Sequence, residues 1–146
     1  MVDRIVVEER LTILKGYVAD LKKLRPISFD EFCINTEKQF AVRYALQLAI
    51  QTVLDMGAHL LAGMDRPAPA EYRDIIIELG ASGVLPSDFS KKISGMAGLR
   101  NVLVHEYMKV DLKKVYDILQ TQLGDFESFA AHVGDFLKRS GREGKQ

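Results

Sequence analysis

Cysteine is nearly missing from this chain and tryptophan wholly so: 146 residues hold the single Cys33 and no Trp. A lone thiol closes no internal disulfide, which excludes a disulfide-stapled scaffold and fits a reducing, cytoplasmic setting. Net charge is missing too, with 20 Lys and Arg against 20 Asp and Glu, so any nucleic-acid site must be a local patch rather than a global bias. The opening Met1-Val2-Asp3-Arg4-Ile5 lacks the apolar run of a secretory leader, and no membrane partner is expected. His59 and His132 lie on different predicted helices, and no His-x3-His or Cys-x2-Cys spacing occurs, so neither a metal nor a cofactor is expected. No Gly-rich phosphate loop is present; Gly95 and Gly98, either side of Met96, read as close-packing positions. Period-two strand patterns, internal repeats and low-complexity tracts are absent as well.

What is there is helix. Val7, Leu11, Leu14, Val18 and Leu21 alternate spacings of four and three, which predicts an amphipathic helix from Asp3 to Leu24, closed by Pro26. Ser28 and Glu31 have capping-box spacing and start a longer second helix to about Ala62, with a break allowed at Asn35-Thr36. Gly63 to Pro67 is the turn. A short third helix runs from Pro69 through Leu79, with Tyr72 and Arg73 on its surface, and Gly80 ends it. Pro86-Ser87-Asp88 opens a fourth helix, and Asp111 caps a fifth that reaches about Lys138. The reading is an all-α, up-and-down bundle of about five helices forming one domain over residues 1–139, with 140–146 a frayed tail.

The second helix is apolar nearly all round, from Phe40, Val42 and Tyr44 to Leu60 and Leu61, and is expected to be the most buried. Yet Arg43, Gln47, Gln51, Asp55 and His59 recur at every fourth residue. Residues four apart stack on one helix face, so these five form a polar stripe. It is either a solvated face with pairs such as Asp55 with His59, or one wall of a polar cleft.

The fourth helix ends in Gly98-Leu99-Arg100-Asn101-Val102-Leu103-Val104-His105-Glu106-Tyr107. A fixed cation, an amide, an imidazole and a phenol are crowded there among aliphatic residues. Five steps along an ideal helix turn Arg100 and His105 about 140° apart, so the two are expected to meet only if the helix frays near Val104. The alternative is a structural His105 at a helix C-terminus, favoured by the dipole.

Arg100-Asn101, then His105 and Tyr107, resembles the Arg-x4-His-x-Tyr signature of the HEPN superfamily, in its HepT-like branch of bacterial toxin–antitoxin pairs. Tyr72-Arg73-Asp74-Ile75, Met96-Ala97-Gly98, Val110-Asp111 with Tyr116, and Leu46 to Ile50 through Asp55 and His59 fit the same branch. The resemblance implies a metal-independent ribonuclease acting as a homodimer, with the cleft at the two-fold interface. RNA cleavage by its own 2′-hydroxyl needs a base, a cation for the phosphorane-like charge and a proton for the leaving oxygen. His105 suits proton transfer because imidazole titrates near neutrality, Arg100 suits the phosphate through its planar fork, and Asn101 would orient His105 or the phosphate. One histidine cannot readily serve as acid and base in one step, and the second copy of Arg100 and His105 would supply the other. The resemblance further implies an MntA-type minimal nucleotidyltransferase antitoxin that silences the toxin by adding AMP to Tyr107.

Between Lys91 and Lys114 stand Lys91, Lys92, Arg100, Lys109, Lys113 and Lys114 against Glu106 and Asp111, a local positive excess able to hold RNA phosphates or, alternatively, a plain solvated face. A non-catalytic nucleotide- or substrate-binding subunit of a two-component nucleotidyltransferase remains the second reading. A purely structural dimerisation module ranks last, because it leaves the polar stripe and the decapeptide unexplained.

Overall fold

A computed structural model describes residues 2–143. Helix α1 (Arg4–Leu24) starts where Asp3 accepts the Val6 N–H at 3.3 Å, and α2 (Phe29–Ile34) where Ser28 accepts that of Glu31 at 3.2 Å. Both are side-chain N-caps satisfying otherwise orphaned donors. Asn35 ends α2 and caps α3 (Thr36–Gly63), accepting the Lys38 N–H at 3.0 Å. Then come α4 (Tyr72–Ala81), α5 (Ser87–Ile93) and α6 (Met96–His105), a 3-10 turn over Tyr107–Lys109, α7 (Leu112–Thr121) and α8 (Leu123–Glu143), with no strand among the described residues.

The all-α expectation holds, but three of the five expected helices are divided. The break at Asn35 occurs because its extended backbone (φ −106°, ψ 91°) and side-chain cap restart the helix. Ser94 and Gly95 separate α5 from α6, and Gln122 separates α7 from α8. The third helix begins at Tyr72, not Pro69: each proline in Pro67-Ala68-Pro69 disfavours helix in the residue before it, and Glu71 is still extended. The last helix continues past Lys138 to Glu143, and one residue before Lys138 the Leu137 carbonyl accepts from Arg4 at 2.7 Å, which ties α8 to α1. Ser140 to Glu143 are thus helical rather than frayed, and 144–146 of the expected tail lie outside the described residues.

Helix α3 is the axis. It packs against α1, α2, α4, α6, α7 and α8, and Leu46, Ile50, Leu54, Leu60 and Leu61 are fully enclosed with Leu14, Leu21, Phe32, Phe126 and Phe129 from its neighbours. Each such side chain contributes roughly 1.5–3 kcal/mol by leaving water. Length and apolarity alone would let α3 cross a membrane, but here it is the interior helix of a bundle. It is not apolar-buried throughout, because Phe40 (62% exposed) and Tyr44 (58%) stand in the open. At 28 residues α3 is about 42 Å long.

Two glycines permit close approaches. A Cβ on Gly57 would meet Ile75 Cγ2 at 2.8 Å, so only glycine lets α4 lie this near α3. A Cβ on Gly80 would meet Ser90 Oγ at 2.6 Å, where Ser90 donates to the Ile76 carbonyl at 2.7 Å and holds α5 against α4. Arg66 pairs with Glu78 across the α3–α4 connection.

Candidate active site around Arg100 and His105

Helix α6 buries Ala97, Leu99 and Leu103 against the core, which turns Arg100 toward the seam where α3, α4 and α6 meet. Arg100 is partly buried. Its Nε donates to Gln51 Oε1 at 2.8 Å, its Nη1 donates to Asn101 Oδ1 at 3.2 Å, and the same Nη1 lies 3.2 Å from His105 Nε2. A guanidinium only donates, so a hydrogen bond between the two has His105 Nε2 as its acceptor.

Arg100 and His105 therefore meet, and they do so without the fraying at Val104 that ideal geometry suggested. α6 stays helical through His105, and the Glu106 N–H still reaches the Val102 carbonyl at 3.0 Å. The long arginine stem and the placement of His105 in the last helical position span the offset. Asn101 is exposed and touches the arginine; it makes no bond to His105 among the described residues.

The electrostatics of Arg100 are distinctive. No acidic side chain bonds to it, and none of the salt bridges among the described residues involves it. Its charge is therefore left for an anion. The lysines are less available: Lys92 pairs with Asp125 at 3.0 Å, Lys113 with Asp117 at 3.1 Å, and Lys109 approaches Glu106 at 4.0 Å. Lys91 and Lys114 carry no such pair among the described residues, so the local positive excess is thinner than the residue count implies.

The α3 stripe splits into two parts. Arg43 donates from Nη2 to the Tyr107 carbonyl at 2.8 Å, pinning the 3-10 turn that follows α6. Gln51 meets Arg100, and its own Nε2 donates to Asp55 Oδ1 at 2.8 Å. Gln47 lies between them, partly buried, with no side-chain hydrogen bond among the described residues. His59 turns elsewhere: its Nε2 is buried without a hydrogen-bond partner, beside a cavity of about 110 Å³ lined by Val6, Val7, Arg10, Asp55 and Met56. The stripe is thus neither wholly a wall nor wholly a solvated face. Asp55 pairs with Gln51 rather than with His59.

Tyr107 is 63% exposed and Met108 87%, so the phenol is open to a partner. Sequence reasoning missed one participant. Tyr72, at the start of α4, lies with its ring beneath the Arg100 guanidinium, 4.6 Å from centroid to Cζ. No spacing announces this contact, since it depends on how α4 crosses α6. A concavity of about 650 Å³ between α1 and α8 holds none of these residues.

Known proteins share this sequence and this fold. Residues 14–133 match the family model described as ribonuclease HepT-like. A tRNA nuclease HepT of Aphanizomenon flos-aquae is 29% identical over 136 residues, covering 93% of this chain and 92% of that protein. An mRNA nuclease HepT of Shewanella oneidensis is 30% identical over 91 residues, covering 62% of this chain and 68% of its own. Among solved structures, a tri-AMPylated Shewanella oneidensis HEPN toxin in complex with MNT antitoxin superposes with a TM-score of 0.81 at 22% identity, over 89% of this chain and 97% of that one. With the fold of HEPN toxins and a match running from within α1 to within α8, the chain belongs to the ribonuclease HepT-like family, and its enzyme class is endoribonuclease.

Proposed function

We propose that this protein is the toxin of a toxin–antitoxin pair, a metal-independent endoribonuclease of the cytoplasm in which Arg100 and His105 carry the reaction. The observation behind this reading is the 3.2 Å contact of Arg100 Nη1 with His105 Nε2 in a shell that holds no acidic side chain: a fixed cation with no acid beside it, touching an imidazole nitrogen. The substrate phosphate takes the outward edge of Arg100. As the phosphate draws Arg100 Nη1 off His105 Nε2, that nitrogen accepts the 2′-hydroxyl proton, the 2′-oxygen bonds to phosphorus, and the 5′-oxygen leaves with a proton from the facing copy's His105. Asn101 holds the arginine rather than the histidine.

The homodimer supplies that second histidine. Phe40 and Tyr44, on the exposed start of α3, flank Arg43 in sequence, and Arg43 grips the turn that carries Tyr107 and Met108. Phe40, Tyr44 and Met108, three exposed large apolar side chains near one cation, form a surface suited to burial against another copy, which leaves Tyr107 open. A nucleotidyltransferase antitoxin is the proposed partner, with Tyr107 as the acceptor of AMP. Its exposure and its place two residues past His105 would bring the added phosphates to the mouth of the site, where they compete with RNA for Arg100.

The reading is tested by expressing this chain alone and assaying the purified, unmodified protein on RNA in the presence of a chelator. Growth arrest and chelator-resistant cleavage, both lost in His105→Ala, are expected. Intact RNA together with identical growth of wild type and His105→Ala would overturn it in favour of a non-catalytic binding subunit.

A further inference from the structure

Arg100 is held on more sides than its own helix provides. The guanidinium offers five N–H donors in a rigid plane. The Nε proton goes to Gln51 and the Nη1 protons to Asn101 and His105. The Nη2 edge has no protein acceptor among the described residues, which leaves it as the edge presented to a phosphate.

The bond from Nε depends on which way the Gln51 amide points. A flipped amide would set its NH2 donor against the arginine donor. Asp55, one turn further along α3, decides the matter, because a carboxylate only accepts. It takes Gln51 Nε2 at 2.8 Å and thereby turns Oε1 toward Arg100. The chain of donors has a single polarity, from Arg100 to Gln51 to Asp55, and it ends on a solvent-exposed acid.

The remaining freedom is motion out of the plane. Tyr72 closes it from below, with its ring 4.6 Å from Arg100 Cζ, in range for an attraction between a cation and an aromatic face. The ring is placed by the approach of α4 to α3 that Gly57 allows, since Ile75, the contact of that glycine, lies one turn along α4 from Tyr72.

We infer that Tyr72 and the Gln51–Asp55 pair are positioning residues that fix the plane and the free edge of the Arg100 guanidinium for a phosphate of the RNA backbone. Its consequence for cleavage rests on the ribonuclease reading, so the test carries a readout independent of activity.

Full-length protein labelled with 15N is compared as wild type, Tyr72→Leu, Tyr72→Phe, Gln51→Leu and Asp55→Asn. The Arg100 Nε–H signal, identified by its loss in Arg100→Lys, is followed for chemical shift and hydrogen exchange, and kcat and KM are measured on one RNA. Tyr72→Leu, which keeps apolar volume but not the ring, is expected to move the Nε–H signal and to lower kcat about fivefold, and Tyr72→Phe to restore both. Gln51→Leu is expected to speed Nε–H exchange and lower kcat by about tenfold or more. Asp55→Asn, whose amide satisfies either orientation of Gln51, is expected to broaden or double the signal with the thermal midpoint unchanged. This surface variant decides the matter should Tyr72→Leu fail to fold. An Nε–H signal unmoved by Tyr72→Leu and single in Asp55→Asn overturns the inference. Wild-type protein that cleaves no RNA removes the ribonuclease reading alone, while the Nε–H shifts still decide whether the cradle exists.

Discussion

Replacing Arg100 by lysine keeps one positive charge and removes the fork. In the folded protein Arg100 makes three directed contacts, at 2.8 Å to Gln51 and at 3.2 Å to Asn101 and to His105, and still presents an unclaimed Nη2 edge. An ammonium is a point charge with three rotating donors. It cannot hold Gln51, Asn101 and a phosphate oxygen together in one plane, so at least one charge-assisted bond to the transition state is lost. Such a bond is worth about 1.5–3 kcal/mol, and tenfold in rate is about 1.4 kcal/mol; Arg100→Lys should therefore lower kcat/KM by roughly ten- to a hundredfold. Stability should change little, because Gln51 and Asn101 reach solvent and are rehydrated when the arginine leaves. The assay is steady-state cleavage of a labelled RNA, with thermal unfolding alongside. Arg100→Lys activity within about threefold of wild type would show that charge alone suffices and that the planar geometry described here is incidental.

Other substitutions probe the scaffold. Phe129→Ala empties a fully buried position at the α8–core contact and should cost about 3–5 kcal/mol in denaturant unfolding. Gly57→Ala sets a methyl carbon 2.8 Å from Ile75 Cγ2; the strain should destabilise the fold by about 1–3 kcal/mol and, by pushing α4 outward, weaken the Tyr72 contact seen in the Arg100 Nε–H signal. Intact mass of wild type co-produced with the proposed nucleotidyltransferase antitoxin should rise by whole AMP units, whereas Tyr107→Phe should stay at its unmodified mass. AMP found on the Phe variant would move the acceptor away from Tyr107.

Much of the fold was legible because its signals are local. The apolar seam of α1, the caps at Ser28 and Asp111 and the breadth of apolar surface on α3 all act within a few residues, and each appears where its spacing places it. The divisions at Ser94-Gly95 and Gln122 were not legible, because periodicity runs on across a one- or two-residue break. The site was half legible. Arg100, His105 and the four-residue recurrence of Arg43, Gln51 and Asp55 are one-dimensional patterns, and the folded chain joins Gln51 to Arg100 and Arg43 to the Tyr107 turn. His59 shares the recurrence but faces α1, since the helices around α3 change along its length and a stripe this long crosses several neighbours. Tyr72 stood in a stretch that fits the family, but nothing in that stretch announced its contact with Arg100. Its role is created by the crossing of two ten-residue helices far apart in sequence. The convergence of Arg100 and His105 was misjudged for a related reason: helix angles describe Cβ directions, and a long side chain at a helix end reaches well beyond them.

The most direct measurement is the chemistry of the cut ends. With purified, unmodified protein and a chelator present, mass spectrometry should find a 2′,3′-cyclic phosphate on one product and a 5′-hydroxyl on the other, and a substrate carrying 2′-deoxy at the cleaved position should survive. Products ending in 3′-hydroxyl and 5′-phosphate, or cleavage of the 2′-deoxy substrate, would contradict attack by the 2′-hydroxyl through Arg100 and His105.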